Sequence, residues 1–133
     1  MCPDFEWGEF LNIALQLKGE ACPSPSPDCL NRTITNRAYY AAYHAALGYI
    51  REIDPLHFAG EKPTHGGVIT WFRSHRDDEL QYIGRILGEC YDERHPADYD
   101  SRPGNYSSSS ARAIWLAERI RSRIDQRRNS THG

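Results

Sequence analysis

An alanine-rich stretch near the middle of the chain constrains the fold more than any other feature. No proline or glycine interrupts the residues from Asn36 to Leu47, and five of them are alanine. Alanine is the best helix former, and its small side chain lets neighbouring helices approach closely. The sequence therefore predicts a long central helix, from about Cys29 to Glu52, with other helices packed against it.

Apolar residues recur every three or four positions in four further segments, which predicts four more helices. These begin at the capping residue Asp4, at Thr64, at Asp77 and at one of the four serines 107–110. The first should end at Lys18 and the helix from Asp77 near Tyr91. Because no alternating strand pattern is present, the sequence predicts an all-α bundle of four to five helices.

The length and charge of the chain limit its organisation. A chain of 133 residues can bury one hydrophobic core, so we assign residues 1–128 to a single helical domain and 129–133 to a short polar tail. The formal net charge of −2 excludes a uniformly basic nucleic-acid binder. After Ser110, six arginines and only two acids nevertheless make the C-terminal end locally basic. The two interpretations of this charge are contacts with phosphate and a solvated helical face.

The cysteines and histidines give no sign of a metal or cofactor. The four cysteines lack paired zinc-site spacing, and His57, His65 and His75 lack ligand spacing. The segment from His65 to Gly67 instead predicts a helix cap and entry turn. No apolar run resembles a signal peptide or a membrane span. We therefore expect a cytoplasmic protein with free thiols, no metal, no cofactor and no membrane contact.

Arg37 and His44 lie seven residues apart in the central helix. Seven steps of about 100° return to nearly the same side, so both share a face with Tyr40, about 10 Å apart along the axis. Histidine moves protons near neutral pH and arginine holds phosphate, as metal-free RNA cleavage requires. The alternative is structural: His44 packs with its hydrogen bond satisfied, and an inward Arg37 pairs with Asp98 or Asp100.

A second polar cluster follows the expected end of the fourth helix. It contains a cation, an imidazole, two acids and a tyrosine: Arg94, His95, Asp98, Tyr99 and Asp100. Pro96, Pro103 and Gly104 predict a loop here, and loops on a rigid scaffold often carry chemistry. The alternative is that Asp98 and Tyr99 only hydrogen-bond the loop backbone or pair with Arg37.

Four segments together resemble the bacterial and archaeal HEPN-domain proteins, in particular the small subgroup with an SRAYYAAFHAA-like helix and an ADYD segment. They are Phe5–Trp7, Asn36–Ala46, Thr64–Val68 and Arg94–Asp100. The resemblance spans most of the chain, in order, and implies an antiparallel helical bundle that forms a homodimer. Many HEPN proteins are metal-independent endoribonucleases of toxin-antitoxin or antiphage defence systems. Others are non-catalytic partners of minimal nucleotidyltransferases.

The HEPN ribonucleases carry an arginine, usually followed by a polar residue, and then a histidine, with four to six residues between the arginine and the histidine. Arg37 and His44 have the longest such gap, but Ala38 follows the arginine. Arg94 has a polar follower, yet Tyr99 stands where the histidine is expected. Two segments therefore match the motif, each in part.

Two hypotheses follow for the function. In the first, the protein binds RNA and cleaves it: His44 is the acid or base, Arg37 and Arg94 hold phosphate, and Tyr99 or Asp98 orients them. Tyr40 and His95 would support that site. In the second, Arg37, Tyr40 and Asp98 form a structural network in a non-catalytic module. Such a module would dock a protein partner, an antitoxin or a nucleotidyltransferase.

Overall fold

The fold is described by a computed structural model that covers residues 9–19, 21, 23–102 and 104–132. It contains five helices: α1 (Glu9–Leu17), α2 (Pro27–Ile53), α3 (His65–Arg73), α4 (Asp78–Tyr99) and α5 (Ser107–His132). No strand occurs in these residues. The predicted all-α bundle is therefore confirmed, while the predicted cap Asp4 lies outside the described residues.

Side-chain caps begin three of the helices. Ser26, Thr64 and Asp77 accept hydrogen bonds from backbone N–H groups in the first turns of α2, α3 and α4, at 2.9–3.2 Å. The caps at Thr64 and Asp77 follow the sequence prediction. The serine cap predicted for α5 was wrong, because Asn105 Oδ1 accepts the hydrogen bond from the N–H of Ser107 at 3.1 Å. The four serines form the first turn of the helix instead.

The three long helices α2, α4 and α5 form the centre of the bundle, α3 packs mainly on α4, and α1 packs on α2. Ser110 Oγ donates to Asn31 Oδ1 near the start of α2 and α5, and Arg128 pairs with Glu52 near their ends. These two helices therefore run parallel. Arg123 pairs with Glu79 across the opposite ends of α5 and α4, which run antiparallel.

Helices α3 and α4 approach each other closely at Gly84. A Cβ there would lie 2.7 Å from Cγ of Arg73 and 2.9 Å from both its backbone nitrogen and Cβ of Phe72. Phe72 is fully buried and belongs to a core formed by α2, α3, α4 and α5. The absence of a side chain at Gly84 thus lets α3 reach the core.

Helix α4 is longer than the sequence indicated. The predictions that it ends near Tyr91 and that a loop begins at Arg94 were wrong, because the helix includes Pro96 and ends at Tyr99. Proline within a helix costs about 3 kcal/mol. Contacts made beyond the proline offset that cost: Asp98 is bound by the side chain of Asn36, and the N–H of Asp100 donates to the Pro96 carbonyl at 2.9 Å. The irregular segment starts only after this cap.

The outer face of the bundle carries exposed apolar residues. The apolar pattern of α5 predicts that Ile114 faces inward, but it is 40% exposed. In α2, Leu30 and Ile34 are 44% and 38% exposed, and Ala41 is exposed as well. Helix α5 continues through residues 129–132, where the sequence indicated a polar tail.

Candidate functional site

Arg94 lies at the centre of the polar cluster between α2 and α4. Its Nη1 donates to the hydroxyl of Tyr40 at 3.0 Å and lies 3.3 Å from Asp98 Oδ2. The residue is only 5% exposed. Its buried Nε–H has no hydrogen-bond partner among the described residues. The Nη1 group is therefore paired, while the Nε–H donor is not used.

Aromatic rings surround the Arg94 guanidinium. Its Cζ lies 5.1–5.8 Å from four ring centroids, those of Tyr39, Tyr40, Tyr91 and Tyr99. Each ring presents negative charge density to a cation within about 6 Å. The rings also exclude water, which strengthens the field of the guanidinium on its neighbours.

Asp98 is the carboxylate of this cluster. Both of its oxygens lie 3.1 Å from Asn36 Nδ2, which donates to them. Burial raises the pKa of Asp98, and the nearby Arg94 and Asn36 act in the opposite direction. Asp98 pairs with Arg94, one turn before it on α4. Asp100 pairs with Arg102 at 3.1 Å. Neither aspartate forms the ion pair considered for Arg37.

His65, at the start of α3, joins the cluster from a third helix. Its Nδ1 lies 2.6 Å from the hydroxyl of Tyr39, whose pKa is raised by burial. Because that hydroxyl stays protonated and has no other acceptor among the described residues, we assign it as the donor to Nδ1. The neutral ring then carries its proton on Nε2. Burial lowers the pKa of His65, and the charges of Arg94 and His44 lower it further.

His44 and His65 lie against the same two tyrosines. Their ring centroids are 5.3 Å and 4.7 Å from that of Tyr43, and 6.2 Å and 5.8 Å from that of Tyr40. His44 is exposed and His65 is half-buried. An accessible imidazole and a mostly neutral one therefore lie side by side.

Arg37 is exposed on the same helix as His44, so the structural alternative of an inward Arg37 was wrong. Neither residue forms a hydrogen bond or ion pair with another described residue. Arg37 lines an open cleft of about 520 Å³ together with Asn36 and Asp98 of the cluster and apolar residues of α1, among them Leu17. It therefore places a solvent-facing cation beside the buried pair.

The structure brings together only part of the predicted site. Arg94, Tyr40 and Asp98 are in direct contact. His95 and Tyr99 are exposed on α4 with ring centroids 4.9 Å apart, and only the ring of Tyr99 lies near Arg94, at 5.8 Å from its Cζ. Tyr40 lies on α2. The other four residues lie on α4 rather than on the predicted loop.

Sequence reasoning missed two residues of this region. His65 was assigned only to a helix-entry turn, and its partner Tyr39 is 26 residues away, so no local signal identifies the contact. Arg32 is fully buried and donates to Asp28 and to the backbone carbonyls of Asp100 and Arg102. The spacing of Asp28 and Arg32 was the only local sign of this role.

Comparisons with other proteins assign no function to the site. No family model, curated protein or solved structure matches the chain. Within residues 9–19, 21, 23–102 and 104–132, no group of three or more His, Cys, Asp or Glu side chains is arranged to hold a metal ion. No helix in those ranges combines the length and apolar character needed to cross a membrane.

Proposed function

We propose that the chain is a HEPN-type protein that binds RNA and cleaves it without a metal ion, in a toxin-antitoxin or antiphage defence system. One observation carries this proposal. The exposed Arg37 and His44 flank Tyr40 on α2, while Arg94 and His65 lie against the same tyrosine from α4 and α3. Guanidinium groups stabilise phosphate charge, and imidazoles transfer protons near neutral pH.

The accessible His44 takes the role of the base. It accepts the proton of a ribose 2′-hydroxyl as the 2′-oxygen attacks the adjacent phosphorus. The bond from phosphorus to the 5′-oxygen breaks, and that oxygen takes a proton from water. The products are a 2′,3′-cyclic phosphate and a 5′-hydroxyl end. Arg37 holds a non-bridging phosphate oxygen, and neutral His65 offers its Nε2–H as a further donor.

Arg94 acts differently from the role that the sequence indicated. The residue is 5% exposed and its guanidinium is held by Asp98 and Tyr40, so it does not reach a phosphate directly. It instead positions Tyr40 and contributes a fixed positive charge beneath the exposed groups. Asp98 orients Arg94, while Tyr99 and His95 border the site on α4.

The proposal is tested by incubating the purified protein with RNA in the presence of a chelator and identifying the new ends. We expect cyclic-phosphate products from the wild-type protein. The substitutions His44→Ala and Arg37→Ala should each lower the rate about 100-fold, within the range typical of an acid–base group. Both residues are exposed, so both variants should retain the wild-type melting temperature.

Two matched variants control for charge and composition. His57→Ala removes an exposed histidine from the loop after α2, and Arg76→Ala removes an exposed arginine between α3 and α4. Both should cleave at the wild-type rate. Equal rates for His44→Ala and His57→Ala would reject the proposed role of His44, and cleavage that disappears with chelator would reject a metal-free reaction.

A second function is favoured by the closed Arg94 network. Arg94, Asp98, Tyr40 and Asn36 satisfy one another largely within the bundle, as a structural element would. In this version the chain is a non-catalytic module that docks an antitoxin or a minimal nucleotidyltransferase. Absence of RNA cleavage, together with strong destabilisation by Arg94→Leu, would support it.

We also propose that the chain forms a homodimer through the outer faces of α2 and α5. Exposed Ile34 and Ile114 lie at the same level of the two parallel helices. The adjoining groove is lined by Glu118 and Arg121, which form no ion pair with any described residue. A two-fold axis would pair these opposite charges between copies. Sedimentation should give a dimer that Ile34→Glu dissociates, and a monomeric wild-type protein would refute it.

A further inference from the structure

A group of arginines surrounds one tyrosine on the outer face of α4 and α5, away from the site described above. The Cζ atoms of Arg85, Arg119 and Arg123 lie 5.1 Å, 5.6 Å and 5.2 Å from the ring centroid of Tyr82. Arg123 is paired with Glu79 at 3.3 Å. Arg85 and Arg119 form no ion pair with any residue that the structure describes. Two guanidinium charges at this tyrosine are therefore left without a carboxylate partner.

Trp115 extends this cluster along α5. Its side chain is 53% exposed, and the Cζ atom of Arg119, one turn further on, lies 5.1 Å from its ring centroid. Nε of Arg119 donates to the hydroxyl of Tyr82. The guanidinium is thus held between two aromatic rings, so little of its conformational freedom remains to be lost on binding.

Two clefts contain the arginines of this cluster, and Tyr82 lines the first of them. One, of about 430 Å³, contains Arg73 and Arg85 beside this tyrosine, and the other, of about 560 Å³, contains Trp115, Arg119 and Arg123. Their linings include four arginines and only two acids, Asp78 and Glu118. The surface is basic although the whole chain has a net charge of −2.

We propose that this surface, formed by Tyr82, Arg85, Trp115, Arg119 and Arg123, binds a single-stranded nucleic acid. An exposed base stacks on the indole of Trp115, and Arg85 and Arg119 bind the flanking phosphates. Single strands suit this arrangement because their bases are free to stack on aromatic rings, whereas a duplex already stacks them internally. The inference rests on the proposed RNA function and specifies the form of RNA that is bound.

The surface is separate from the site around His44. Arg85 and Arg94 are nine residues apart on α4, which corresponds to about 13 Å along its axis. Arg119 contacts Tyr82 of α4 and the ring of Trp115 on its own helix, whereas Arg94 contacts α2. Binding on α4 and α5 can therefore be measured in variants that leave the His44 site intact.

The test is a titration with a short fluorescent oligoadenylate, followed by anisotropy and by quenching of tryptophan fluorescence. Of the two tryptophans that the structure describes, Trp115 is 53% exposed, and Trp71, at 5% exposure, is the buried reference. Stacking of one base should account for a 5- to 150-fold change in affinity. We therefore expect Trp115→Leu and Arg119→Gln each to weaken binding at least fivefold, with Arg76→Gln as the matched control at wild-type affinity.

Two further measurements, together with the titration itself, decide between this and other outcomes. An abasic strand of equal length should bind at least fivefold more weakly than oligoadenylate, and its equal binding would overturn the proposal. Equal competition by polyglutamate would assign the surface to an acidic protein instead. Failure of the wild-type protein to bind the oligonucleotide, or unchanged affinity in both variants, would also overturn it.

Failure here is distinguishable from failure of the proposed cleavage. A protein that cleaves RNA through His44 but shows no quenching of Trp115 retains the function and lacks this surface. A protein that binds oligoadenylate through Trp115 without cleaving it has the surface and lacks the chemistry. Sedimentation of Trp115→Leu should match the wild type, which separates loss of binding from loss of the dimer.

Discussion

Replacement of the buried Arg32 by alanine should lower the free energy of unfolding more than replacement of an exposed residue does. Arg32 is 0% exposed and joins α2 to the end of α4 and the segment after it. It donates to Asp28 Oδ1 at 3.2 Å and to the carbonyl oxygens of Asp100 and Arg102 at 2.6 Å and 2.8 Å. Its Cζ also lies 4.4 Å from the ring centroid of Tyr106.

The magnitude follows from what alanine would leave behind. The backbone carbonyl groups of Ala97, Asp100 and Arg102 would lose a charged donor, and an unsatisfied buried acceptor costs about 1–3 kcal/mol. The ion pair contributes less than a fully buried one, because the side chain of Asp28 is 21% exposed. The cavity left by the side chain adds a further cost. We therefore expect Arg32→Ala to lower the free energy of unfolding by about 3–5 kcal/mol, as for a broken buried pair.

The assay is equilibrium unfolding in urea, with Arg37→Ala as the matched control on the same helix. Arg37 is exposed and makes no ion pair with a described residue, so its replacement should change the free energy by at most about 0.5 kcal/mol. Arg32→Lys should fall between the two, because one ammonium cannot reproduce the fork of the guanidinium. A loss below about 1 kcal/mol for Arg32→Ala would refute the reasoning, since it would mean that the acceptors of Arg32 find other partners.

Three further predictions concern packing and titration. Gly84→Ala should destabilise the protein by about 1–3 kcal/mol through overpacking, whereas Gly88→Ala, whose Cβ would lie 3.9 Å from its nearest neighbour, should be neutral or stabilising; urea unfolding of the pair checks this. The pKa of His65 is lowered from its usual 6.5, so the unfolded state binds more protons and stability falls as pH drops below about 6.5. The substitution His65→Gln should flatten that pH dependence. A wild-type stability that rises on acidification through this window, with no change in the variant, would contradict the prediction. Burial raises the pKa of the Cys90 thiol to about 12, so a thiol reagent should modify it only after unfolding, and rapid modification of the native protein would contradict its burial.

Much of the fold was predictable from local signals. The helix caps at Thr64 and Asp77 and the alanine-rich α2 all depend on residues close together in the chain. The end of α4 was not predictable in this way, because Pro96 is a local signal that ends a helix. Contacts of the following turn with Asn36 and Arg32 keep that turn helical. A pattern read along the chain contains no information about such partners.

The candidate site shows the same division. Arg94, Tyr40 and Asp98 were identified from sequence and lie in contact, but their roles changed once burial was known. His65 was missed because its partner Tyr39 lies on another helix. Conversely, the face shared by Arg37 and His44 follows from helical geometry alone.

The sequence by itself determined that the chain is helical, where several helices begin, and that Arg37 and His44 share a side of α2. These properties depend on backbone propensity, capping and periodicity, which act over a few residues. Only the tertiary structure decided that Arg32 is buried in α2 whereas Arg37, on the same helix, is exposed. Both are equally polar in the sequence, and the difference arises because carbonyl groups from Asp100 and Arg102 pack over one of them.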